Sequence, residues 1–301
     1  MIVRPRPHPL QLLYIVRGSI VVQIAPKVLS IAALSCLVVW FSGELGLRPA
    51  AGAAPFSIMA IALSVFLGFR NNACYDRWWE ARKQWGELIV QARAFARECQ
   101  GVLADEPLRQ RLARCTIGFA QALAARLREQ DATLPLQWLP AEEREALRAR
   151  RNLPDAILQL ISRELAQLRR EGQLSDIVYQ GLQQRLLAMT GVQAACERIR
   201  HTPTPFAYSL LLHRTAWLFC LLLPFGLAGV LGLMTPVVVA FIAYTFFGLD
   251  ALGDELEEPF GLSGNGLPLN ALVRVIEIEL LDMLGVKDLP PPLLPVDFVL
   301  L

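Results

Sequence analysis

The chain passes from an apolar segment to a charged one within the stretch Phe66-Leu67-Gly68-Phe69-Arg70-Asn71-Asn72-Ala73-Cys74-Tyr75-Asp76-Arg77-Trp78-Trp79-Glu80. Residues 49–69 carry no charged side chain, and roughly 20 apolar residues of helix span the hydrocarbon core of a bilayer. Arg70 and the paired tryptophans fit the membrane edge, where cations and aromatic rings concentrate. Pro55 is the only strong helix breaker between Ala50 and Arg93. We therefore predict one helix that leaves the membrane and continues into water.

The composition indicates a membrane protein with a sizeable polar part. Hydrophobic residues make up 54% of the 301 residues, charged residues make up 19%, and the mean hydropathy is +0.41. The net charge of +2 is too balanced to indicate a nucleic-acid-binding protein. Membrane lipid is the partner that this composition predicts, and we expect no nucleic acid.

No residue pattern points to catalysis or to a metal centre. The six cysteines form no C-x-x-C pair, so we expect reduced, buried thiols. The three histidines show no ligand spacing, and no Ser/His/Asp or Cys/His arrangement can be argued. We predict that the protein is not an enzyme, with no catalytic residue, no metal site and no cofactor.

Four apolar segments divide the chain. We predict membrane helices at residues 21–42, 49–69, 205–231 and 236–249, the last two separated by Gly229, Gly232 and Thr235-Pro236. Basic residues precede the first and third segments and follow the second, which places both termini and the middle region in the cytoplasm. The predicted organisation is an N-terminal segment with helices 1 and 2 (1–70), a cytosolic helical region (71–201), membrane helices 3 and 4 (202–250), and a cytosolic C-terminal helix with an extended tail (251–301).

The middle region is predicted to be entirely helical. Helix starts are indicated at Asp105-Glu106-Pro107, Pro140-Ala141-Glu142-Glu143, Leu153-Pro154-Asp155 and Ser175-Asp176. After the last of these, apolar residues recur at three- and four-residue steps and form one face of a long helix. The members of that face are Leu174, Ile177, Val178, Leu182, Leu186, Met189, Val192, Cys196 and Ile199.

Two rows of side chains follow the second membrane segment. Ile61, Val65 and Phe69 form a bulky row at four-residue steps, and a row of small residues runs beside it. In one interpretation both rows are contacts within a single subunit. In the other, the small row packs against a neighbouring helix and the bulky row faces a pore, where an apolar ring can gate by dewetting. The small residues are Ala50, Ala53, Ser57, Ala60, Ser64 and Gly68.

Charged residues beside the later membrane segments allow two interpretations. An acidic cluster could bind a hard cation through oxygen ligands, although pairing with nearby arginines is the commoner outcome. His213-Arg214 is costly beside a membrane helix unless it is paired, and Asp250 is a candidate partner. The acidic residues are Asp250, Asp254, Glu255, Glu257 and Glu258.

Five motifs in family order resemble the bestrophin family, specifically its bacterial members. They are Ala54-Pro55-Phe56-Ser57, Phe66-Leu67-Gly68-Phe69-Arg70-Asn71-Asn72-Ala73-Cys74-Tyr75-Asp76-Arg77-Trp78-Trp79-Glu80-Ala81-Arg82, Thr202-Pro203-Thr204-Pro205-Phe206-Ala207-Tyr208, His213-Arg214-Thr215 and Glu255-Leu256-Glu257-Glu258-Pro259-Phe260-Gly261. Together they cover nearly the whole chain.

The resemblance implies an all-α homopentamer in the bacterial inner membrane, with four membrane helices per subunit around one central pore. It implies an ion channel for small monovalent ions. Ile61, Val65 and Phe69 would form the apolar neck, with Phe69 its last ring and Arg70 opening the charged vestibule side. Ile177 would form a constriction at the cytosolic exit, and Asp176 beside it could add a ring of negative charge.

Two departures from the animal members affect gating and selectivity. Those members are calcium-activated anion channels with acidic residues after the Pro-Phe-Gly stretch, whereas here Leu262-Ser263-Gly264-Asn265-Gly266 follows. The carboxylates of a calcium site are missing, so we expect no calcium gating. Val65 stands where animal members carry phenylalanine, whose ring edge favours anions. Chloride and cation permeation therefore both stay open.

Two other function classes compete with the channel. A secondary transporter would show saturating flux and an inverted repeat, and no such repeat is evident. A membrane scaffold would rely on its cytosolic helical domain alone.

Overall fold

The computed structural model describes residues 1–4, 8–12, 14, 15, 18–45, 54–131 and 133–301. The described residues are almost entirely helical, and their only β-contacts are isolated bridges between Ile2 and Val299 and between Val296 and Val299. The helices are α1 (Pro9–Leu12), α2 (Val21–Leu45), α3 (Ala54–Val102), α4 (Glu106–Leu127), α5 (Thr133–Gln137), α6 (Arg144–Arg148), α7 (Leu153–Arg170), α8 (Asp176–His201), α9 (Phe206–Leu231), α10 (Thr235–Glu257) and α11 (Leu269–Met283).

Helix α3 confirms the prediction of one continuous helix through the apolar-to-charged junction. It has 49 residues, which corresponds to about 70 Å at about 1.5 Å per residue. The beginning of the predicted second segment, residues 49–53, lies outside the described residues.

Three helical stretches of the described residues are long and apolar enough to cross a bilayer: Val21–Gly43, Ala54–Val102 and Phe206–Glu257. The third is not a single α-helix, because a 3-10 helix at Gly232–Met234 separates α9 from α10. Gly232 has a φ of +52°, a conformation that glycine adopts without steric cost. The predicted break therefore lies where the sequence indicated it.

The chain divides into two compact units. The first, the outward-apolar unit, consists of Arg4–Trp78 and Pro203–Pro259. Its core joins α2, the first half of α3, α9 and α10 through side chains such as Ile31, Leu67, Phe219 and Phe247. Many of its large apolar side chains are nevertheless exposed in the single chain, among them Leu29, Trp40, Ile58, Phe225, Val237 and Phe241.

The second unit, the helical unit, consists of Met1–Val3, Trp79–Thr202 and Phe260–Leu301. The buried side of α4 fills its centre, and α7, α8 and α11 pack around that helix. The predicted starts of α4, α7 and α8 are confirmed, with Asn152 and Ser175 accepting hydrogen bonds from backbone N–H groups in the first turns of α7 and α8.

The two chain ends meet within the helical unit. The Met1 amine donates to the Leu300 carbonyl, the Val3 N–H donates to the Phe298 carbonyl, and the Ala271 N–H donates to the Leu301 carbonyl. The apolar end of the proline-rich tail therefore packs beside the N-terminus and the start of α11.

Candidate functional site

The first half of α3 has two opposite faces. Leu63, Leu67 and Arg70 are buried and recur at steps of four and three residues. Ile61, Val65 and Phe69 are 66%, 48% and 62% exposed. At 3.6 residues per turn their row lies about 180° around the helix from the buried face. The three side chains of the bulky row are therefore not part of the core of their own chain.

The row of small residues is also largely open within the chain. Ser57 and Ser64 are exposed, and a Cβ added at Gly68 would meet nothing within 4 Å. Ala60 alone among the described members packs against the core, while Ala50 and Ala53 lie outside the described residues. The interpretation of both rows as contacts within one subunit is therefore wrong for most of their described members.

Arg70 lies at the centre of a buried ion cluster. Its side chain is 1% exposed. One nitrogen, Nη1, donates to the Asp250 carboxylate at 2.9 Å and to the Asp250 carbonyl at 3.2 Å. The other, Nη2, donates to Asp254 and lies 3.6 Å from a Glu257 carboxylate oxygen. The expectation that Arg70 opens a charged vestibule is wrong, because Arg70 is in helical phase with Leu63 and Leu67 on the buried face.

Neighbouring side chains complete this cluster. The His213 Nδ1 lies 2.7 Å from the second Asp250 carboxylate oxygen, so the predicted partnership is confirmed. Arg77 donates to the Glu257 carbonyl at 2.7 Å, and the Thr204 N–H and hydroxyl both donate to the Glu257 carboxylate. The acidic run therefore pairs with arginines, and no group of three or more metal-ligating side chains occurs among the described residues.

Ile177 is the outlier of the long apolar face of α8. It is 83% exposed, whereas Leu182, Leu186 and Met189 further along the same predicted face are buried. Ser175 caps the helix through the Val178 N–H at 3.3 Å, and this cap holds Ile177 in the first turn. An exposed isoleucine at a capped helix start has no packing role within its own unit.

Asp176 next to Ile177 is not an isolated charge. The Arg169 Nε donates to the Asp176 carboxylate at 2.6 Å, and the Arg169 guanidinium also lies over the Tyr179 ring at 5.2 Å. Sequence spacing does not predict this pairing, because Arg169 lies in the last turn of the preceding helix, α7. Arg169 therefore offsets part of the negative charge of Asp176 beside Ile177.

An arginine holds the segment that follows the Pro259-Phe260-Gly261 motif. Within the helical unit, Arg128 donates to the Phe260 carbonyl at 3.2 Å, to the Leu267 carbonyl at 3.0 Å and to the Asn270 side-chain oxygen at 2.8 Å. Burial lowers the pKa of the Arg128 guanidinium from its usual value. Three oxygen atoms of this segment therefore already accept hydrogen bonds from a cation of the same chain.

The cysteine thiols are reduced throughout, and all except Cys36 are buried. Burial raises the pKa of Cys115 and of Cys196 to about 12, with a further contribution from a nearby glutamate in each case. Such thiols carry almost no thiolate at neutral pH and are poor nucleophiles. Cys36 differs from the prediction of buried thiols because its side of α2 is exposed in the single chain.

These features define an α-helical integral membrane protein with an outward-facing apolar row and a buried ion cluster. The model of the family described as "Bacterial/Fungal Bestrophin protein" matches residues 1–282. The chain belongs to the bestrophin family.

Named relatives and solved structures align with most of this chain. A voltage-dependent anion channel-forming protein of Mesorhizobium japonicum is 42% identical over 301 residues, which cover 99% of this chain and 96% of that protein. The voltage-dependent anion channel-forming protein YneE of Escherichia coli is 43% identical, with 98% of each chain covered. The crystal structure of a bacterial bestrophin homolog from Klebsiella pneumoniae matches with a TM-score of 0.84 and 40% identity, covering 88% of this chain and 100% of that one.

The Mesorhizobium and Escherichia relatives are named as channel-forming proteins. The protein is accordingly a member of a channel family and not an enzyme. The recognition made from the five motifs is confirmed over the full range that they covered.

Proposed function

We propose that the chain is one subunit of an ion channel with four membrane crossings. The crossings are α2, the apolar first half of α3, α9 and α10. The stretch Phe206–Glu257 has 52 residues, far more than the roughly 20 that one crossing needs. Its break at Gly232–Met234 supports two crossings joined by a tight turn.

The proposed orientation places both termini in the cytoplasm of a bacterium, with the channel in the inner membrane. Arg4, Arg17 and Lys27 precede or begin the first crossing, whereas the short links between crossings carry almost no positive charge. The contact between Met1 and Leu300 supports this arrangement, because paired ends must lie on the same side of a membrane.

The observation that carries the channel proposal is the exposed row Ile61, Val65 and Phe69 opposite the buried face of α3. In a homopentamer around a central axis, this row would line the neck and exclude water when the pore narrows. Gly68 and Ser64 beside it would admit close contact with the neighbouring subunit. The family and the channel-forming relatives support a pore-forming function.

We further propose that Ile177 forms the cytosolic exit constriction. Its exposure at the capped start of α8 is what a ring of five identical apolar side chains requires. Ions would pass the neck, cross a vestibule and leave past this ring.

The permeating species is a small monovalent ion, and two selectivities have separate support. The names of the channel-forming relatives support anions. Cation permeation is favoured by the exposed Asp176 carboxylate beside Ile177 and by the absence of an aromatic ring at Val65. The Arg169 pairing reduces the influence of Asp176 in either case.

Planar-bilayer recording of the purified protein tests the proposal. A channel gives discrete unitary currents that grow with ion concentration without coupling to a substrate, whereas a transporter gives saturating, coupled flux. The reversal potential in asymmetric salt separates anions from cations, and Asp176→Asn shifts it toward anions if the carboxylate acts on the path. A monomer in detergent, or silent bilayers, would contradict the shared pore.

A further inference from the structure

A cavity of about 390 Å³ lies in the helical unit, and none of its lining residues is assigned to the pore. It opens between the first half of α4, the connection from α5 to α6, and the start of α6. Its volume is within the range of small-molecule sites and far above the roughly 30 Å³ share of one water. The lining combines three arginines with an indole ring and apolar side chains: Arg111, Arg114, Arg144, Trp138, Leu139 and Pro140.

The Arg144 guanidinium is held in place by the backbone of the segment before it. Its Nε donates to the Leu139 carbonyl at 3.0 Å, and its Nη2 donates to the Gln137 carbonyl at 3.2 Å. Both acceptors are uncharged, so these hydrogen bonds orient the guanidinium without neutralising it. They use two of the five N–H donors that a guanidinium carries. The cavity therefore contains an oriented positive charge before any ligand binds.

The connection that carries Trp138 and Leu139 packs closely on α4. Leu139 is buried, and a Cβ added at Gly118 would lie 3.1 Å from the Leu139 Cδ2 and 3.3 Å from the Trp138 Cβ. Arg111, Arg114 and Gly118 follow one another at steps of three and four residues, so they share a face of α4. This contact keeps the segment with Trp138 against the arginine face of α4.

The charge balance around the cavity is positive. None of the lining residues, all of which belong to the described part of the chain, is acidic. Two carboxylates pair with Arg111, whose Nη1 lies 2.9 Å from Glu142 and whose Nε lies 2.6 Å from Glu164. A hydrogen bond from its own backbone, followed by Arg111 and then Arg144, lowers the pKa of Glu142. Even with both carboxylates counted as charged, three guanidiniums face two negative charges, and one positive charge remains for an anion.

The arrangement of the arginines favours a phosphate group over other anions. Arg114 lies on α4 and Arg144 on α6, so the two guanidiniums reach the cavity from different elements. A tetrahedral phosphate presents acceptor oxygens in several directions, whereas a carboxylate presents two in one plane, and guanidiniums pair well with phosphate. A single chloride ion would occupy only a small part of the cavity. The apolar lining, Trp138, Leu139 and Pro140, offers contacts to an organic body.

We propose that this cavity binds a small organic phosphate. The phosphate would accept hydrogen bonds from Arg114 and Arg144, and the organic part would lie against Trp138. The bound ligand would fasten α6 and the connection before it to α4. It would therefore stabilise the helical unit, and this role does not depend on the ion that the pore conducts.

Calorimetric titration of the full-length protein in detergent tests this site with three probes at constant pH and ionic strength. Glycerol phosphate carries a phosphate on an organic body, inorganic phosphate carries the phosphate alone, and glycerol carries the body alone. We expect glycerol phosphate to bind and to raise the melting temperature, inorganic phosphate to bind more weakly, and glycerol to do neither. The proposal is overturned if glycerol phosphate does not bind, or if either of the other probes binds equally well.

A variant and a matched control locate the binding. Arg114 is exposed, so Arg114→Gln should leave the melting temperature of the free protein unchanged. It should weaken the binding of glycerol phosphate at least about tenfold, the loss typical of one hydrogen bond to a charged group. Arg148→Gln changes an exposed arginine of α6 outside the cavity and should bind as the original chain does. Unchanged binding by Arg114→Gln, or an equal loss in Arg148→Gln, would contradict the assignment to this cavity.

Discussion

The two units of this chain distribute apolar and charged side chains in opposite ways. In the outward-apolar unit, Leu29, Val237 and Phe241 are exposed, while Arg70 and Asp250 are buried. In the helical unit, leucines and isoleucines of α4 and α7 fill the core, while Arg163 and Arg169 lie near the surface in ion pairs. A bilayer, together with the neighbouring subunits that we propose, explains the first distribution, and water explains the second. The comparison predicts that the same kind of substitution has different consequences in the two units.

Removal of a paired arginine should give the largest difference in stability loss between the two units. Arg70→Met leaves Asp250, Asp254 and Glu257 without their cation, and breaking a buried pair typically costs about 3–5 kcal/mol. Arg93→Met removes a partner of Glu279 in an ion pair that is partly exposed in the helical unit. Solvent screening limits that loss to about 1 kcal/mol or less. Melting followed by size-exclusion fluorescence measures both variants, and equal losses would refute the contrast.

The second largest loss of stability is expected from a methyl group added beside the buried ion cluster. A Cβ at Gly253 would lie 2.8 Å from the Asn71 side-chain oxygen and 3.2 Å from the Arg70 Nη1. Because Arg70 is held by several acceptors, it has little freedom to move, and overpacking costs about 1–3 kcal/mol. Gly43→Ala in α2 meets nothing within 4 Å and controls for the change in helix propensity. A melting temperature of Gly253→Ala equal to that of the control would show that the cluster is loose.

The pH dependence of stability distinguishes the helical unit. Burial raises the pKa of Glu164 above the usual glutamate range, against the opposing effect of Arg111. A raised carboxyl pKa contributes stability that is present below the usual value of about 4.3 and is lost as the pH rises through the raised value. As the pH rises above about 4.3, the original chain should therefore lose stability relative to Glu164→Gln. The stability of the exposed variant Glu145→Gln should change with pH as that of the original chain does. Parallel curves of stability against pH for all three proteins would contradict the expected direction of the Glu164 effect.

Calcium gives the smallest expected effect. Arg128 already satisfies the oxygens of Phe260, Leu267 and Asn270, and no acidic side chain follows Gly261 before Gly266. Open probability in bilayers should therefore stay constant across micromolar calcium. Sharp activation in that range would show that Glu255, Glu258 or backbone oxygens build a site.

Much of the fold was predictable because its signals are local. Charge-free segments predicted the helices that are long and apolar enough to cross a bilayer, Asp105 and Ser175 marked helix starts, and Gly232 marked the break between α9 and α10. The bulky row on α3 was also predictable from four-residue spacing. The partnership of His213 with Asp250 followed from the cost of an unpaired group beside a membrane helix.

The remaining features depend on contacts between distant segments. The position of Arg70 after the last apolar residue predicts an aqueous boundary, whereas its helical phase with Leu63 and Leu67 indicates the buried face. Arg169 and Arg128 find partners across turns and between helices, which periodicity cannot reveal. Ile177 shares the spacing of a buried face, and only the structure shows that Ile177 is exposed while Leu174 and Leu182 of that face are buried.

The most direct test of the central claim is single-channel recording of the triple variant Ile61→Ala, Val65→Ala and Phe69→Ala. A matched control replaces Leu29, Val237 and Phe241 with alanine. These side chains are also exposed, on helices apolar enough to cross a bilayer. If the row forms the neck, the triple variant conducts several-fold more or stays open longer, because a wider and less apolar ring no longer dewets. The control should keep the original conductance. Unchanged currents in the row variant, in a protein of unchanged oligomeric mass, would contradict the account.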